Sequence, residues 1–282
     1  MKWMMAAIAL TTMITMSHIC CAEEKLFITD LLEKGEMDAS VSFSYFHDAT
    51  EISSPSSSLN ADQTVDIMTS EYSFNIGLGH GFEVGAGIPY TFFRKIRLEY
   101  PTIPSSTTRI KEDGFGDIAL RGKYRIFSET EKPFTLVAGL GVKLETAPED
   151  DGGTGTTDIG PFVAASTTLA HGIQPYGIYE FIAKNHGKSD THAVVLGAEK
   201  ELNDKVALRA SLEADFRTSS HDLGSFESYH LTLRSYIRAG RDFYLIPVVD
   251  YGIHSLADVK EIDGEFESST SVQVRLGFYY FF

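Results

Sequence analysis

The chain has 282 residues and a formal net charge of −15, because 39 Asp and Glu outnumber 24 Lys and Arg. This acidic balance disfavours nucleic-acid binding, which needs basic patches, so we expect no nucleic-acid partner. The 2 cysteines are adjacent, Cys20 and Cys21, and both precede the main body of the sequence. A disulfide framework is therefore excluded downstream of them.

The first 22 residues have the three parts of a secretory signal peptide. Lys2 gives a positive start, an apolar run extends from Trp3 to Met16, and small residues end at Ala22. We predict cleavage after Ala22 and no helical membrane anchor in the mature chain, because no second long apolar run follows. The alternative is a lipoprotein site at Cys20 or Cys21, although His18 and Ile19 precede it where small residues are expected.

Residues 23–35 form a separate N-terminal segment, which we place in the periplasm. Leu26, Phe27, Leu31 and Leu32 fit a short amphipathic helix at the periplasmic mouth or partly inside the barrel as a plug. A disordered leader is the alternative.

Residues 36–282 form one domain, in which apolar and polar residues alternate with a period of two. In 204–217, for example, Val206, Leu208 and Leu212 share one face, and Arg209 and Glu213 share the other. The pattern predicts twelve strands near 37–48, 64–78, 81–95, 114–127, 133–146, 156–170, 173–185, 189–201, 204–217, 227–239, 242–256 and 269–282. Each is long enough for the roughly 9–11 residues of a tilted transmembrane strand.

The predicted connections alternate between long polar segments and short turns, as they do when a meander crosses a bilayer. Unpaired backbone groups are not tolerated in lipid, so strands can span a membrane only as a closed barrel. The fold class is therefore predicted to be all-β, a closed antiparallel transmembrane β-barrel of about twelve strands with up-and-down topology. Both termini then lie in the periplasm. A soluble β-sandwich is the alternative.

The chain ends in a strand with an apolar face and aromatic residues, SVQVRLGFYYFF. It resembles the C-terminal recognition strand of bacterial outer-membrane proteins, which the barrel-assembly machinery reads. The resemblance implies that Phe278, Tyr280 and Phe282 act as an assembly signal and that this machinery is a partner during biogenesis. It also implies a place in the bacterial outer membrane, with outer-membrane lipid as a further partner.

Two stretches, GFGDIALRGKYRIF at 114–127 and GGTGTTDIGPFVAASTTL at 152–169, are similar to the outer-membrane transporter family labelled putative phenol-degradation meta-pathway proteins. The matching residues are Gly114, Gly116, Asp117, Lys123, Tyr124, Gly153, Gly155 and Asp158. The family's usual Pro-Thr-Gly turn appears here as Thr146–Ala147–Pro148–Glu149. The resemblance implies a barrel that passes small, often apolar or aromatic, molecules. For Asp117 itself, acceptance of backbone N–H groups at a loop-to-strand corner is the simpler interpretation.

Strand parity predicts which charged residues face the barrel interior. The predicted lumen-lining residues are Arg121, Lys123, Arg125, Arg209, Glu213, Asp215, Arg234, Arg238 and Arg275. We expect Arg209, Glu213 and Asp215 to lie near Arg234 and Arg238. The charges either pair across strands and fill a narrow interior, or line a permeation path and select solutes by charge.

No catalytic signature such as HExxH or GxSxG occurs, and we expect no enzyme, no cofactor and no metal site. A phospholipase would need a lipid-facing Ser–His pair, and Ser228 with His230 is the closest local combination, although parity turns both inward. We therefore predict a monomeric channel for passive transport of a small-molecule solute. The alternative is a structural or adhesive barrel that uses its acidic loops without transport.

Overall fold

The computed structural model describes residues 29–53, 61–99, 108–148, 153–220, 224–255, 257–259, 264–266 and 268–282. The predicted signal peptide over 1–22 lies outside these residues. Their strands are β1 (Met37–Ser53), β2 (Ala61–Gly79), β3 (Phe82–Glu99), β4 (Thr108–Phe115), β5 (Ile118–Phe127), β6 (Thr135–Leu144), β7 (Asp158–Ser166), β8 (Ile173–Lys184), β9 (Thr191–Asn203), β10 (Val206–Arg217), β11 (Phe226–Arg238), β12 (Phe243–His254), β13 (Ala257–Val259), β14 (Gly264–Phe266) and β15 (Ser269–Phe281).

Twelve of these strands close an antiparallel barrel in which neighbours along the chain are neighbours in the sheet. The last strand, β15, pairs with β1 from Asp38 opposite Phe281 to Ala49 opposite Thr270, and this ladder closes the circle. The remaining strands β4, β13 and β14 are additions to it. The predicted twelve-strand, up-and-down barrel is thus confirmed. Within the described residues, no helix has the length and apolarity of a membrane span.

The three additional strands were predicted as loops. β4 pairs with the second half of β3 and prolongs that hairpin, while the β13–β14 hairpin attaches to the end of β1 through Ile52 opposite Phe266. The predicted strand over 114–127 is also divided, because β4 ends at Phe115 and β5 begins at Ile118. At this corner Gly114 has φ 153° and Gly116 N donates to Pro89 O at 2.9 Å.

The connections between barrel strands differ at the two ends of the barrel, as predicted. Short turns at 80–81, 128–134, 167–172, 204–205 and 239–242 lie at the end that also carries Met37 and Phe281. We call this the turn end. The other end, which we call the loop end, carries the longer connections and the β3–β4 hairpin.

The burial of side chains is inverted relative to a soluble protein. Leu196 and Leu212, which point outward, are each 63% exposed, whereas the inward Lys123 and Asp215 are 7% and 1% exposed. Successive strand residues point to opposite faces, so every barrel strand contributes to both surfaces. A continuous apolar exterior around a polar interior is the arrangement of a barrel that lies in lipid.

Three aromatic residues at the end of the chain, Phe278, Tyr280 and Phe282, lie on the outer face at the turn end. Tyr280 and Phe282 are exposed, and their ring centroids are 4.8 Å apart. Phe278 contacts Phe43 and Phe243 on the neighbouring strands. Phe282 N also donates to Met37 O at 2.9 Å, which extends the closing ladder by one bond. This is the position of an aromatic girdle, while the assembly role of the three residues stays a prediction.

A charge placed on the outer face tests the lipid exposure of that face. Leu212→Arg or Leu233→Arg should destabilise the barrel in bilayers by roughly 2–4 kcal/mol, because lipid does not solvate the guanidinium near the midplane. Thr232→Arg, whose neighbour Asp250 is inside the barrel, should cost much less. Urea unfolding midpoints in vesicles measure the difference, and equal midpoints for all three variants would contradict the assigned faces.

The terminal residue tests the assembly signal. Deletion of Phe282, or Phe282→Ser, should reduce the amount of folded barrel in the outer membrane and leave export from the cytoplasm intact. Heat-modifiable migration on a gel measures folded barrel, and Tyr251→Ser, an exposed aromatic on β12, is the matched control. A normal level of folded barrel without Phe282 would remove the terminal residue from any recognition role.

Candidate functional site

The loop end of the interior is organised around Asp117, a residue of the family-like motif. Its Oδ1 accepts hydrogen bonds from the backbone N of Thr146 and Ala147, at 2.9 and 3.0 Å. Its Oδ2 accepts from Thr154 N at 2.8 Å and from Thr154 Oγ1 at 2.7 Å. Asp117 therefore ties both sides of the β6–β7 connection to the β5 corner, as the simpler interpretation of this residue predicted.

A buried ion pair lies directly beneath this corner. Lys143 Nζ on β6 is 2.7 Å from Asp158 Oδ2 on β7, and it also donates to Thr156 Oγ1 at 3.3 Å. Gly153 packs so closely against the Ala147 carbonyl that a Cβ there would lie 2.1 Å from its oxygen. The motif residues Asp117, Gly153 and Asp158, which are distant in sequence, thus build one network that folds the connection onto the barrel.

Two more ion pairs lie deeper in the interior, towards the turn end. Lys123 Nζ is 2.7 Å from Glu83 Oε1, and Arg209 Nη2 is 2.9 Å from Glu199 Oε2. All four side chains are almost fully buried. Charges this far from bulk water need partners, since an isolated ion would carry a large desolvation cost. These pairs support the predicted interior position of Lys123 and Arg209.

Arginines and aromatic rings alternate on the inner wall in a recurring three-strand arrangement. The Arg121 guanidinium on β5 lies 4.2 Å from the ring centre of Phe162 on β7. The ring reaches it across β6 because Gly139 has no side chain, and a Cβ there would be 2.2 Å from Phe162. Arg–aromatic contacts of this kind are favourable and are stronger away from water.

The same arrangement recurs on strands β8 to β11. Tyr176 packs over Gly197 on β9, where a Cβ would lie 2.5 Å from its ring. The Arg209 guanidinium then lies 5.5 Å from Tyr176 and 5.1 Å from Tyr236. Near the loop end, Arg217 lies 4.7 Å from the Phe226 ring. Planar side chains therefore line much of the wall between β5 and β11.

Acidic side chains gather on the wall formed by β8, β10 and β12. Glu213 lies beside Asp215 on β10 and interacts electrostatically with Glu180 on β8 and Asp250 on β12. Asp250 contacts His230 Nδ1 at 3.0 Å and accepts a hydrogen bond from Thr232 at 2.5 Å. Within the described ranges, no group of three or more His, Cys, Asp or Glu residues has the geometry to hold a metal ion. Ser228 and His230 face this interior, which is opposite to the lipid-facing pair that a phospholipase would need.

The predicted lumen-lining arginines lie in different environments. Arg234 stands directly opposite Arg209 in the β10–β11 ladder and donates to Tyr236 at 3.4 Å. Arg238 is exposed at the turn end, where it donates to the carbonyl oxygens of Gly240 and Arg241. It therefore lies apart from Glu213 and Asp215, because it is the last residue of β11. Arg125 and Arg275 are half-buried on inward positions of β5 and β15.

An open recess lies in the inner wall between β2 and β6. Inward positions without large side chains, including Gly85, Gly87 and Gly141, form its floor, and Glu71, Asn75 and Arg121 form polar sides.

The turn end is crossed by residues 29–36, which we call the strap. Thr29 Oγ1 is 2.5 Å from Ser166 Oγ on β7, whereas Gly35 N donates to Gly77 O on β2 at 2.9 Å. Three barrel strands separate β2 from β7, so the strap connects two separate parts of the wall at this end. None of its described residues is helical, and Leu26 and Phe27 of the predicted helix lie outside the described residues. Whether the segment lies at the mouth or inside the barrel stays a prediction.

A single carboxylate connects the strap to the interior. Leu32 N donates to Glu83 Oε2 at 2.7 Å, while the other oxygen of Glu83 contacts Lys123. Leu32 is only 2% exposed, and a Cβ at Gly77 would lie 2.0 Å from the Glu33 carbonyl oxygen. The strap backbone thus packs directly on the barrel wall.

Sequence parity missed the aromatic–arginine contacts, the recess and the strap contacts. The aromatic–arginine contacts and the recess did have a sequence signal. Gly85 with Gly87, and Gly139 with Gly141, occupy the same alternate positions of their strands as the inward charged residues. The sequence contains no signal for the hydrogen bond of Leu32, because the acceptor lies on a strand that is distant in sequence.

The fold of this chain is similar to the folds of solved outer-membrane channels. It is similar to an outer-membrane channel from Pseudomonas putida F1, with TM-score 0.59 and 13% identity, over 92% of this chain and 100% of that chain. It is also similar to the monoaromatic hydrocarbon channel CymD, with TM-score 0.49 and 8% identity, over 90% of each chain. At these identities the likeness concerns the fold alone. No protein-family model and no curated protein sequence matches the chain.

Removal of the strap tests whether it limits passage through the bore. A mature chain that starts at residue 36 should give a larger single-channel conductance than the intact mature chain, because the segment that connects β2 with β7 at the turn end is gone. Glu83→Gln should give an intermediate change, since it weakens the bond to Leu32. Heat-modifiable migration confirms folding, and an unchanged conductance in both variants would show that the narrowest section lies elsewhere.

Proposed function

We propose that the chain forms a passive channel for small solutes in the bacterial outer membrane. The observation that carries this proposal is the inverted burial of a closed barrel, with an apolar exterior and a polar, charged interior that contains an open recess. The twelve-strand size supports it, since such a barrel lies between small filled barrels and open porins of 16–18 strands. The predicted signal peptide supports export.

In this membrane the loop end faces outward and the turn end faces the periplasm. A solute then enters past the Asp117 network and the recess, passes the aromatic–arginine wall and the acidic wall, and reaches the strap last. We expect a constricted interior in this state, because the strap contacts the wall at the turn end and buried ion pairs lie near it. Passage therefore requires movement of the strap or of luminal side chains.

We propose small apolar or aromatic compounds as the solute class. The resemblance of residues 114–127 and 152–169 to the putative phenol-degradation meta-pathway transporters supports this choice. The rings of Phe162, Tyr176 and Tyr236 support it as well, since planar solutes stack on aromatic faces. Arg121 and Arg209 beside these rings add a preference for solutes that carry a hydroxyl or carboxylate group.

Charge-removing variants test the channel and its lining residues together. Glu213→Gln with Asp215→Asn should shift ion preference toward anions, and Arg234→Gln with Arg275→Gln should shift it toward cations, because rings of charge set selectivity. Reversal potentials under a salt gradient give the direction. Glu129→Gln with Glu131→Gln, in an exposed turn, is the matched control and should leave ion preference unchanged.

Liposome swelling with sugars, amino acids and phenolic compounds tests the solute class. Faster swelling with phenolics than with sugars of similar size is the expected result. If the folded protein neither conducts ions nor admits any of these solutes, even without its strap, the channel proposal fails and a structural or adhesive role replaces it.

A further inference from the structure

Two carboxylates flank an alanine in one row of inward side chains on β8, β9 and β10. Glu180 stands directly opposite Ala193 in the β8–β9 ladder, and Ala193 stands directly opposite Asp215 in the β9–β10 ladder. Directly opposed residues of an antiparallel pair lie on the same face of the sheet. The two acidic residues are therefore two strand spacings apart, about 10 Å, with only the methyl group of an alanine between them.

The adjacent inward row, on the side of the turn end, is partly open to the lumen. Ile178 stands opposite Val195, and Val195 stands opposite Glu213. These three side chains are only half-buried, whereas Glu180 and Asp215 in the first row are 4% and 1% exposed. A solute in the lumen can therefore approach the buried carboxylates over an apolar surface. We call Glu180, Glu213 and Asp215 the acidic cluster.

The two buried carboxylates each have an oxygen atom without a hydrogen-bond donor. Within the described part of the chain, no residue donates a hydrogen bond to Glu180 Oε1 or to Asp215 Oδ1. The other oxygen of Asp215 accepts a hydrogen bond from Ser228 Oγ at 3.4 Å. A buried acceptor without a donor is energetically costly, and the cost is greater for a charged group. These two oxygens therefore indicate a ligand that carries hydrogen-bond donors.

The carboxylates of the acidic cluster repel one another. Glu180 interacts electrostatically with Asp215, and Glu213 interacts with both of them and with Asp250 on β12. Repulsion between like charges is strong away from bulk water, and a cation placed among them removes it. The donor that best fits these carboxylates is therefore a cation.

Basic side chains border the acidic cluster on both sides. Arg121 on β5 attracts Glu180, whereas Arg217 on β10 and His230 on β11 attract Asp215. The positions between the carboxylates, by contrast, carry the small and apolar side chains of β9. The cluster therefore combines negative charge with an apolar floor, which suits an organic cation better than a hydrated inorganic ion.

We propose that the acidic cluster binds the ammonium group of a solute with an apolar body, such as an arylalkyl amine. An ammonium group has three donors, one for each carboxylate of the cluster, and hydrogen bonds between such charged partners are strong. Half-buried Ile178 and Val195 contact the apolar part of the solute. Glu180 has room to turn toward the ligand, because Gly160 beside it has no side chain and a Cβ there would lie 2.8 Å from its Oε1.

The inference rests on the proposed channel and extends its solutes to amines. Amines bind on the acidic wall, while the hydroxyl and carboxylate groups proposed above bind beside the arginines. A metal ion is a poorer occupant, because no His, Cys, Asp or Glu group of the described residues has the geometry to hold one.

Titration of the folded mature barrel in non-ionic detergent with phenethylamine tests the proposal, with binding measured by ligand-detected NMR. This amine is protonated at neutral pH, as a lysine side chain is. The variant with Glu180→Gln and Asp215→Asn should bind it about tenfold or more weakly, because amides keep the shape of the carboxylates and remove the charge that attracts an ammonium group. The control, Glu129→Gln with Glu131→Gln, removes the same charge in an exposed turn and should leave the affinity nearly unchanged.

Two further ligands identify the ammonium group as the part that is recognised. Phenethyl alcohol has the same ring and chain without the charge, and it should bind to wild type about tenfold more weakly than the amine. Potassium chloride at the concentration of the amine should not displace it. Equal affinity of wild type for amine and alcohol, an unchanged amine affinity in the acidic-cluster variant, equal weakening in the turn control, or displacement by potassium would each overturn the proposal.

Folding and conduction are followed on the same samples. If the double variant does not show heat-modifiable folding, Glu180→Gln alone replaces it, with a smaller loss expected and an unchanged affinity overturning the proposal. A wild-type barrel that conducts but does not prefer the amine to the alcohol contradicts the amine site alone. One that binds the amine but never conducts contradicts the channel alone.

Discussion

Closure of the backbone ladder is the constraint on which the rest of this molecule depends. In hydrocarbon, each unpaired N–H or C=O group costs several kcal/mol, so the first and last strands must pair along their length. The β1–β15 ladder meets this requirement, and buried Asp38 supports it from within by accepting hydrogen bonds from Asn75 on β2 and Tyr279 on β15. At the loop end Asp48 has the same role, with Thr50 and Ser269 as donors. The β1–β15 ladder is thus supported by polar side chains, which can be placed there because the barrel interior is polar.

Closure also determines the character of the interior. A twelve-strand circle is too small to leave every inward side chain in bulk water, so inward charges must find partners. Lys123 with Glu83, Lys143 with Asp158 and Arg209 with Glu199 show the solution on three parts of the wall. At other inward positions a glycine stands in place of a long side chain, and an aromatic ring from a neighbouring strand packs over the glycine. A packed interior and an open recess between β2 and β6 therefore coexist.

The sequence was sufficient for the features that depend on local alternation. Period-two patterning located the twelve barrel strands and assigned Lys123, Arg209 and Asp215 to the interior, because one face of each strand meets lipid and the other does not. It was insufficient where tertiary contacts decide. β4 continues a hairpin through polar residues that alternation cannot distinguish from a loop, and Arg238 leaves the interior because β11 ends there. The spacing of Leu31 and Leu32 predicted a helix that residues 29–36 do not form, and the strap instead contacts Glu83 and Ser166, two residues that lie far from it in the sequence.

The strength of these contacts decides which parts of the barrel can move most easily. The wall is a continuous ladder, and opening it would expose backbone groups to lipid at several kcal/mol each. The strap is held by a few hydrogen bonds, among them Leu32 to Glu83 and Thr29 to Ser166, each worth about 1 kcal/mol net, and by the burial of Leu31 and Leu32. Because Glu83 also contacts Lys123, withdrawal of the strap leaves this carboxylate paired instead of bare. The strap is therefore the element that can move at the lowest cost, and the charge beneath it remains compensated when it does.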